Sequence, residues 1–276
     1  MAAPSVAILA RRDDAAAVAL ATLLRRRRGC HVVLAFEQDL ASARIVHRPS
    51  SGPVFGGAGT SSLALAGDAV QLPDGACLDA TTDVVVCRIA TLAPARQSSP
   101  EGQSYAEAEM FALALSWLSG LGDAVLNRPS PTNLAGAEVD LLRLHRLASG
   151  IGLAVPDLRL WVNTARTPGQ RAREGTGPPL PRPGAWSEPV EPMGSALVLG
   201  ATVHGAPSSL HGRLAALAAA SGLVVCEIGL GRTAAQAEPV VAGVSALPSL
   251  AEPGRLALFA DFVTERGHRR RQERAA

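Results

Sequence analysis

The sequence contains no lysine: all 26 of its basic residues are arginine. Arginine cannot form a Schiff base, and its planar guanidinium does not replace a compact ammonium on a phosphate group. The absence therefore excludes Walker-type phosphate loops, kinase chemistry, pyridoxal-phosphate catalysis and lysine nucleophiles. A GC-rich genome explains part of the bias, but a site that needs lysine would be expected to keep it.

Other absences narrow the class of protein further. Aromatic residues make up 3% of the chain although 47% is apolar, which predicts an α/β protein packed with small side chains. A formal net charge of +2 provides no global field for nucleic acid. No signal peptide is visible and no apolar run reaches membrane-spanning length, so we expect a soluble, cytoplasmic protein.

Motifs for catalysis and metal binding are also missing. The chain has no Gly-x-Ser-x-Gly elbow, and its four cysteines form no CxxC pair. Cys87 and Cys226 fall in predicted buried strands and are expected to be inert. His204 and His211 lack a nearby carboxylate or cysteine. We therefore predict neither catalytic residues nor metal ligands.

The predicted elements open with a strand, a helix and a strand at 5–10, 15–28 and 31–36. This β-α-β unit implies parallel strands and a right-handed crossover. A polar loop or hairpin is expected at 44–67. Further strands are predicted at 63–72, 83–89, 124–127, 158–162, 196–199, 201–204, 222–228 and 237–245. Further helices are predicted at 104–121, 138–149, 210–221 and 255–271.

Proline and glycine divide the chain. Residues 164–192 hold seven prolines and four glycines with almost no apolar periodicity, so a linker or irregular segment is predicted there. The predicted organisation is an α/β domain at 1–125, a linking helix and strand at 126–163, the irregular segment at 164–192 and a smaller C-terminal domain at 193–276.

Several motifs occur in a recognisable order. Val-Leu-Asn-Arg-Pro at 125–129, a helix, and Gly-Leu-Ala-Val-Pro-Asp at 152–157 resemble the ATP-grasp superfamily, in particular ligases of the RimK or peptide-maturase type. The strand at 83–89 resembles the family's "Asp…Val…Arg" strand, and 197–204, 210–230 and 240–248 resemble its closing segments. The resemblance implies an α/β chain: a pre-ATP-grasp parallel-sheet domain, then a truncated ATP-grasp-like α+β domain.

The sequence departs from this family where the family holds ATP and Mg²⁺. The stretch with a phosphate-binding lysine and a glycine-rich lid shrinks here to 164–192, and a second family lysine has no counterpart. The positions matching the family's Mg²⁺ ligands are Gly229, Gly243 and Ser245, with Glu227 two residues before the first. Because Mg²⁺ prefers carboxylate oxygens, the resemblance implies a degenerate ATP-grasp protein with no cofactor.

Polar residues collect at or just past the carboxyl ends of the predicted parallel strands. They are Arg11, Arg12, Asp13, Arg88, Asn127 and Arg128. Ligands bind at this edge of open α/β sheets, and guanidinium groups suit carboxylates or phosphates. We predict an anionic-ligand or peptide site in this crevice; the alternative is structural salt bridges with Asp13, Asp14 and Asp83.

Two basic clusters lie outside this crevice, at 25–28 and at 269–274. The first ends a predicted helix, where cations complement the helix dipole, and the second is a terminal tail. Each is expected to be a solvated terminus, with a docking surface as the alternative.

Three functions remain open. The first is a non-catalytic scaffold or partner subunit in a biosynthetic or peptide-modification pathway, docked on a protein partner or as a homodimer and holding a peptide or small acidic molecule. The second is an ATP-dependent carboxylate–amine ligase, using ATP and Mg²⁺, that takes its missing lysines from another subunit. The third is a binding module that uses the arginine-lined crevice. No nucleic acid or membrane partner is expected, and nucleotide binding separates the second function from the others.

Overall fold

The computed structural model describes residues 3–46, 69–92, 99–163, 182–236 and 238–276. Its strands are β1 (Ser5–Ala10), β2 (His31–Phe36), β3 (Arg44–Val46), β4 (Ala69–Gln71), β5 (Cys77–Leu78), β6 (Val84–Cys87), β7 (Leu158–Asn163), β8 (Arg182–Ser187), β9 (Glu191–Leu199), β10 (Thr202–His204), β11 (Val225–Arg232) and β12 (Val240–Ser245). Its α-helices are α1 (Ala15–Arg28), α2 (Glu37–Ala41), α3 (Pro100–Gly120), α4 (Leu141–Gly150), α5 (His211–Ala220) and α6 (Pro253–Ala275).

The first β-α-β unit forms as its sequence predicts. The carboxylate of Asp14 accepts a hydrogen bond from the Ala17 N–H at 3.0 Å and so caps α1. The helix ends at Gly29, whose φ of 64° is the left-handed conformation that glycine adopts without strain. The strands on either side pair in parallel register from Ser5 with His31 to Ala10 with Phe36.

The N-terminal sheet has the order β2-β1-β6, and all its strands are parallel. An isolated parallel bridge between Val85 and Val125 extends it on the β6 side. A short strand was predicted at 124–127. Only this bridge forms, because residues 122–124 make a 3₁₀ turn and the Asn127 side chain donates a hydrogen bond to Val225 of the C-terminal sheet.

The loop predicted at 44–67 is in part a strand. β3 pairs with β4, which pairs with β5, in a small antiparallel sheet. Residues 47–68 lie outside the described part of the chain, and with them most of that loop and the beginning of the strand predicted at 63–72.

The C-terminal part is a four-stranded antiparallel sheet in the order β10-β9-β11-β12. One face of this sheet packs its apolar side chains, such as Val198, Cys226 and Ile228, against α4 and α5. On the opposite face, Leu197, Leu199 and Val225 pack with Phe259 of α6 in a core that also includes β1 and α1. The helix α6 therefore joins the two sheets.

The segment predicted to be irregular at 164–192 contains regular structure at its end. β8 pairs with β7 in an antiparallel hairpin, and β9 already begins at Glu191. Backbone pairing with β7 overrides the proline and glycine content of β8. Residues 164–181 lie outside the described part of the chain.

The basic C-terminal tail is exposed in large part, but two of its arginines are bound to the rest of the fold. α6 continues to Ala275, and its Arg271 and Arg274 bind the carboxylate of Asp83, which is fully buried. That carboxylate also accepts the Ser5 N–H at 2.7 Å. A buried carboxylate requires such partners, so these arginines fix α6 to the amino end of the parallel sheet.

Among the helices that the structure describes, none has the length and apolarity to cross a membrane.

Candidate functional site

Arg88, which follows β6, lies inside the molecule. Its Nε donates to Asp14 Oδ2 at 2.6 Å, and its Nη1 donates to the carbonyl oxygen of Pro248 at 3.2 Å. The two charged side chains are only 11% and 16% exposed. The guanidinium is thus used to connect β6, the start of α1 and the loop before α6, as the salt-bridge alternative predicts.

The arginines around Arg88 remain at the surface. Arg11 pairs with Asp13 at 3.2 Å, and both side chains are more than 60% exposed. Arg12 and Arg128 are exposed too, and neither has a partner within the described part of the chain. They follow β1 and the bridge at Val125, which are two strand positions apart in the sheet. Two strand spacings amount to roughly 10 Å.

Asn127 is buried, and its amide group is saturated. Its Nδ2 donates to the carbonyl oxygens of Val225 and Ala246 at 2.8 and 3.3 Å. Its Oδ1 accepts the N–H groups of Val224 and Val225 at 3.0 and 2.9 Å. An amide has two donor hydrogens and two acceptor lone pairs, so nothing remains for a ligand, and Asn127 links the two halves of the chain.

The predicted crevice is therefore largely filled. Arg88, Asn127 and Pro248 line a cavity of about 10 Å³, which is room for roughly one water molecule. Gly136 packs directly against Asn127: a Cβ atom at Gly136 would lie 2.9 Å from the Cβ of Asn127, and the Gly136 φ of 140° disfavours other residues. Of the six predicted residues, Arg12 and Arg128 are left free to contact a ligand.

A second polar region lies on the C-terminal sheet, beside the apolar residues that α6 covers. We call it the polar sheet face; its residues are Ser195, Glu227, Gly229, Gly243 and Ser245. Gly229 of β11 is directly opposite Ser195 of β9 and Gly243 of β12, while Glu227 is opposite Ser245. Opposite residues and residues two apart on a strand share one face, so all five side-chain positions point to the same side.

Glu227 is the one carboxylate among these five residues, and both of its oxygens accept hydrogen bonds. Its Oε1 accepts hydrogen bonds from the Ser195 hydroxyl and, at 2.7 Å, from Arg255 Nη1. Its Oε2 accepts the Ser249 N–H at 2.7 Å. Burial alone would raise the pKa of Glu227, but the hydrogen bonds from Ser195, Ser249 and Arg255 outweigh it and lower the pKa below its ordinary value.

Arg255 reaches this face from the first turn of α6. Its Nη2 donates to the carbonyl oxygen of Ser195 and, at 2.9 Å, to the Ser195 hydroxyl. Its side chain is 15% exposed, and the Glu252 carboxylate is 3.7 Å from its Nε. From the sequence alone Glu227 stands out only as a neighbour of Gly229, and neither Ser195 nor Arg255 is identified. A cation in the first turn of a helix opposes the helix dipole, and that unfavourable placement is a signal the sequence does contain.

The residues of the polar sheet face do not fit a magnesium ion. Gly229, Gly243 and Ser245, the positions at which the family resemblance places Mg²⁺ ligands, offer one hydroxyl and no carboxylate. The Glu227 carboxylate is occupied by an internal cation. No group of three or more His, Cys, Asp or Glu residues suited to a metal occurs in the part of the chain that the structure describes. Space is not the obstacle, because a Cβ at Gly243 would meet nothing within 4 Å.

The remaining predicted polar and thiol groups have structural surroundings. The His211 ring is 2.9 Å from the Ala206 carbonyl oxygen. Burial raises the pKa of both Cys87 and Cys226 to about 12, so neither is a thiolate near neutral pH. Cys77 is exposed, and its pKa is also raised, by partial burial and by Asp79.

Comparisons with known proteins bear on the fold. No protein-family model and no curated protein matches this sequence. Among solved structures, it is similar to the ATP-grasp ligase PsnB complexed with precursor peptide PsnA2 and AMPPNP, with a TM-score of 0.68 and 16% identity over 97% of this chain and 99% of that one. A RiPP-associated ATP-grasp ligase of Chryseobacterium gregarium, in complex with ADP and a leader and core peptide, has a TM-score of 0.64 and 11% identity over 95% and 96%.

The macrocyclase MdnB of Microcystis aeruginosa MRC is also similar, with a TM-score of 0.62 and 14% identity over 94% of this chain and 99% of that one. In each case the similarity spans nearly the whole of both chains. Identities this low concern the fold and not the activity. The α/β architecture expected from the motifs is confirmed: the chain has the ATP-grasp fold.

Proposed function

We propose that this chain is a non-catalytic protein of the ATP-grasp fold that serves as a scaffold or partner subunit in a peptide-modifying biosynthetic pathway. The observation that carries the proposal is the polar sheet face, where the Glu227 carboxylate binds Arg255 and its neighbours are Gly229 and Gly243. Phosphoryl activation of a carboxylate requires Mg²⁺ and cations around the developing charge. This face offers no free carboxylate, and the whole chain offers no lysine ammonium.

A peptide is the partner that we propose. Structural neighbours of the chain are ATP-grasp ligases with bound precursor, leader or core peptides. Arg12 and Arg128, exposed and without partners in the described part of the chain, are proposed to contact acidic groups of such a peptide. Guanidinium groups bind carboxylates in a bidentate manner, so two of them that follow strand positions two apart in the sheet suit an acidic segment better than a single small anion.

Calorimetry of the purified full chain with Mg²⁺ and AMPPNP tests the absence of catalysis. We expect no heat of binding up to millimolar nucleotide, and no ADP when ATP is supplied with a synthetic peptide rich in aspartate and glutamate. Micromolar binding of the nucleotide by the isolated chain would contradict the proposal. ADP formation that appears only with a second subunit, and disappears in Glu227→Gln, would favour the ligase completed by a partner.

Fluorescence anisotropy with a labelled synthetic peptide rich in aspartate and glutamate tests the proposed partner. The double variant Arg12→Ala/Arg128→Ala should weaken binding at least tenfold, and added salt should weaken binding to the parent chain. Arg26→Ala is the matched control, since Arg26 is an exposed arginine of α1 outside the crevice. Equal binding by all three proteins would exclude this arginine pair.

A further inference from the structure

The polar sheet face already contains a cation, the guanidinium of Arg255. This group lies where the strands bring together Ser195, Glu227 and Gly229. It contacts one carboxylate oxygen, one hydroxyl and one carbonyl oxygen, all of which are oxygen donors. Oxygen donors of these three kinds are the ones that hard divalent cations bind.

The position of Arg255 in its helix indicates that these contacts are specific. α6 begins at Pro253, so Arg255 is in the first turn, where the partial positive charge of the helix repels a cation. Its side chain is nevertheless withdrawn from water, at 15% exposure. Two carboxylates offset this cost: Glu227 at 2.7 Å and the largely exposed Glu252 at 3.7 Å.

The contacts of Glu227 are arranged around this cation. Its two oxygens accept three hydrogen bonds, from Ser195 of β9, from Ser249 in the loop before α6 and from Arg255 of α6. The charge of the carboxylate is therefore already neutralised by an internal cation. Meanwhile Gly243, on the neighbouring strand, leaves open the volume that a further ligand would need.

We infer that Arg255 is a built-in substitute for a divalent cation: its guanidinium occupies the cation position beside Glu227 and keeps metal ions off this face. The inference rests on the proposed non-catalytic function and gives it a physical cause. Removing Arg255 would leave Glu227, Glu252 and the Ser195 oxygens around an unneutralised position. Such a group binds a divalent cation weakly, and an added carboxylate at Gly243 would tighten the binding.

The test measures Mn²⁺ binding by electron paramagnetic resonance, without nucleotide, in the full chain and its variants. The parent chain should show no binding that depends on Glu227. Arg255→Ala should bind Mn²⁺ in the millimolar range, and Arg255→Ala/Gly243→Glu should bind it at least tenfold more tightly. Arg255→Ala/Glu227→Gln is the matched control and should lose the binding gained by the single substitution.

Three results would overturn the inference. The first is Mn²⁺ binding by the parent chain that the single substitution Glu227→Gln removes. The second is no Mn²⁺ binding by Arg255→Ala. The third is Mn²⁺ binding by the double variant Arg255→Ala/Glu227→Gln that equals the binding by Arg255→Ala. If Arg255→Ala does not fold alone, circular dichroism provides the readout. Millimolar Mn²⁺ should then restore the folded spectrum of Arg255→Ala but not that of Arg255→Ala/Glu227→Gln. If Mn²⁺ does not restore the spectrum of Arg255→Ala, the inference is wrong. Because nucleotide is absent, this outcome is independent of the calorimetry with AMPPNP.

Discussion

The crevice and the polar sheet face each contain a nearly buried arginine–carboxylate pair, at 2.6 Å for Arg88 and Asp14 and 2.7 Å for Arg255 and Glu227. Their surroundings differ. Asp14 also caps α1, and Arg88 also binds a backbone carbonyl, so the crevice pair is part of how the N-terminal sheet folds. Glu227 accepts hydrogen bonds from two serines, and its partner Arg255 also contacts the Ser195 oxygens and Glu252, so these contacts do not all depend on the carboxylate.

This difference separates two ways in which a ligand position can be closed. In the crevice, helix capping, the saturated Asn127 amide and the tight contact at Gly136 leave a cavity the size of a water molecule. On the polar sheet face, closure depends on a single side chain, Arg255, beside an open volume at Gly243. We therefore expect changes in the crevice to alter stability and changes on the sheet face to alter what can bind.

Asn127→Ala should have the largest effect on stability. It leaves the buried N–H and carbonyl oxygen of Val225, and the partly buried Val224 N–H and Ala246 carbonyl oxygen, without their partner. Unsatisfied buried groups cost about 1–3 kcal/mol each, with partial relief from relaxation, so we expect a loss of about 3–5 kcal/mol in the free energy of unfolding. Urea denaturation measures it.

Asn133→Ala is the matched control for this change, because the Asn133 side chain accepts a single hydrogen bond, from the Ala135 N–H at 2.9 Å. Its cost should be about 1 kcal/mol. If the two substitutions cost the same, Asn127 does not connect the N-terminal and C-terminal sheets as described.

Substitutions at the two carboxylates test the comparison directly. Asp14→Asn keeps a good N-cap but breaks the pair with Arg88, and we expect a cost of about 2 kcal/mol, below the value for a fully buried pair because both side chains are slightly exposed. Asp14→Ala also removes the cap and should cost about 1 kcal/mol more. Glu227→Gln should cost less, about 1 kcal/mol, because Arg255 keeps its contacts with the Ser195 oxygens and with Glu252.

Thermal and urea unfolding of the three variants at one pH provide the measurement. Equal stability of Asp14→Asn and Asp14→Ala would show that Asp14 does not cap α1. A larger loss in Glu227→Gln than in Asp14→Ala would show that the sheet face, and not the crevice, is the more strongly coupled to folding.

Local patterns in the sequence predicted the first elements well. The capping Asp14, the apolar run of α1 and the stop at Gly29 give bounds identical to those observed. Local signals failed where distant backbone decides the structure. β8 forms in spite of its prolines because β7 pairs with it, and residues 124–127 make only one bridge because Asn127 bonds to β11.

The sites were harder to predict than the fold. The sequence places Arg88 at a ligand-binding edge, but whether it meets Asp14 or a ligand depends on how the loop after β1 turns. The contact between Arg255 and Glu227 joins residues 28 positions apart on separate elements. No helical or strand periodicity in the sequence indicates a contact of this kind. For the same reason the sequence predicts a solvated arginine tail at 269–274, because the partner Asp83 lies nearly 200 positions earlier.

The smallest effects are expected from the cysteines, which report on whether either region opens. Cys87 lines the crevice cavity, and Cys226 lies next to Glu227 on the opposite face of β11. Because burial raises the pKa of both thiols to about 12, only about one in 10⁴ is ionised at pH 8, and the thiolate is the reactive form. Iodoacetamide at pH 8 should therefore modify the exposed Cys77 and spare these two, as peptide mass spectrometry would show, with Cys77→Ser as the control that removes the label at position 77. Labelling of Cys87 at a rate comparable to Cys77 would mean that the crevice opens in solution, which would remove the contrast between a region closed by folding and one closed by a single arginine.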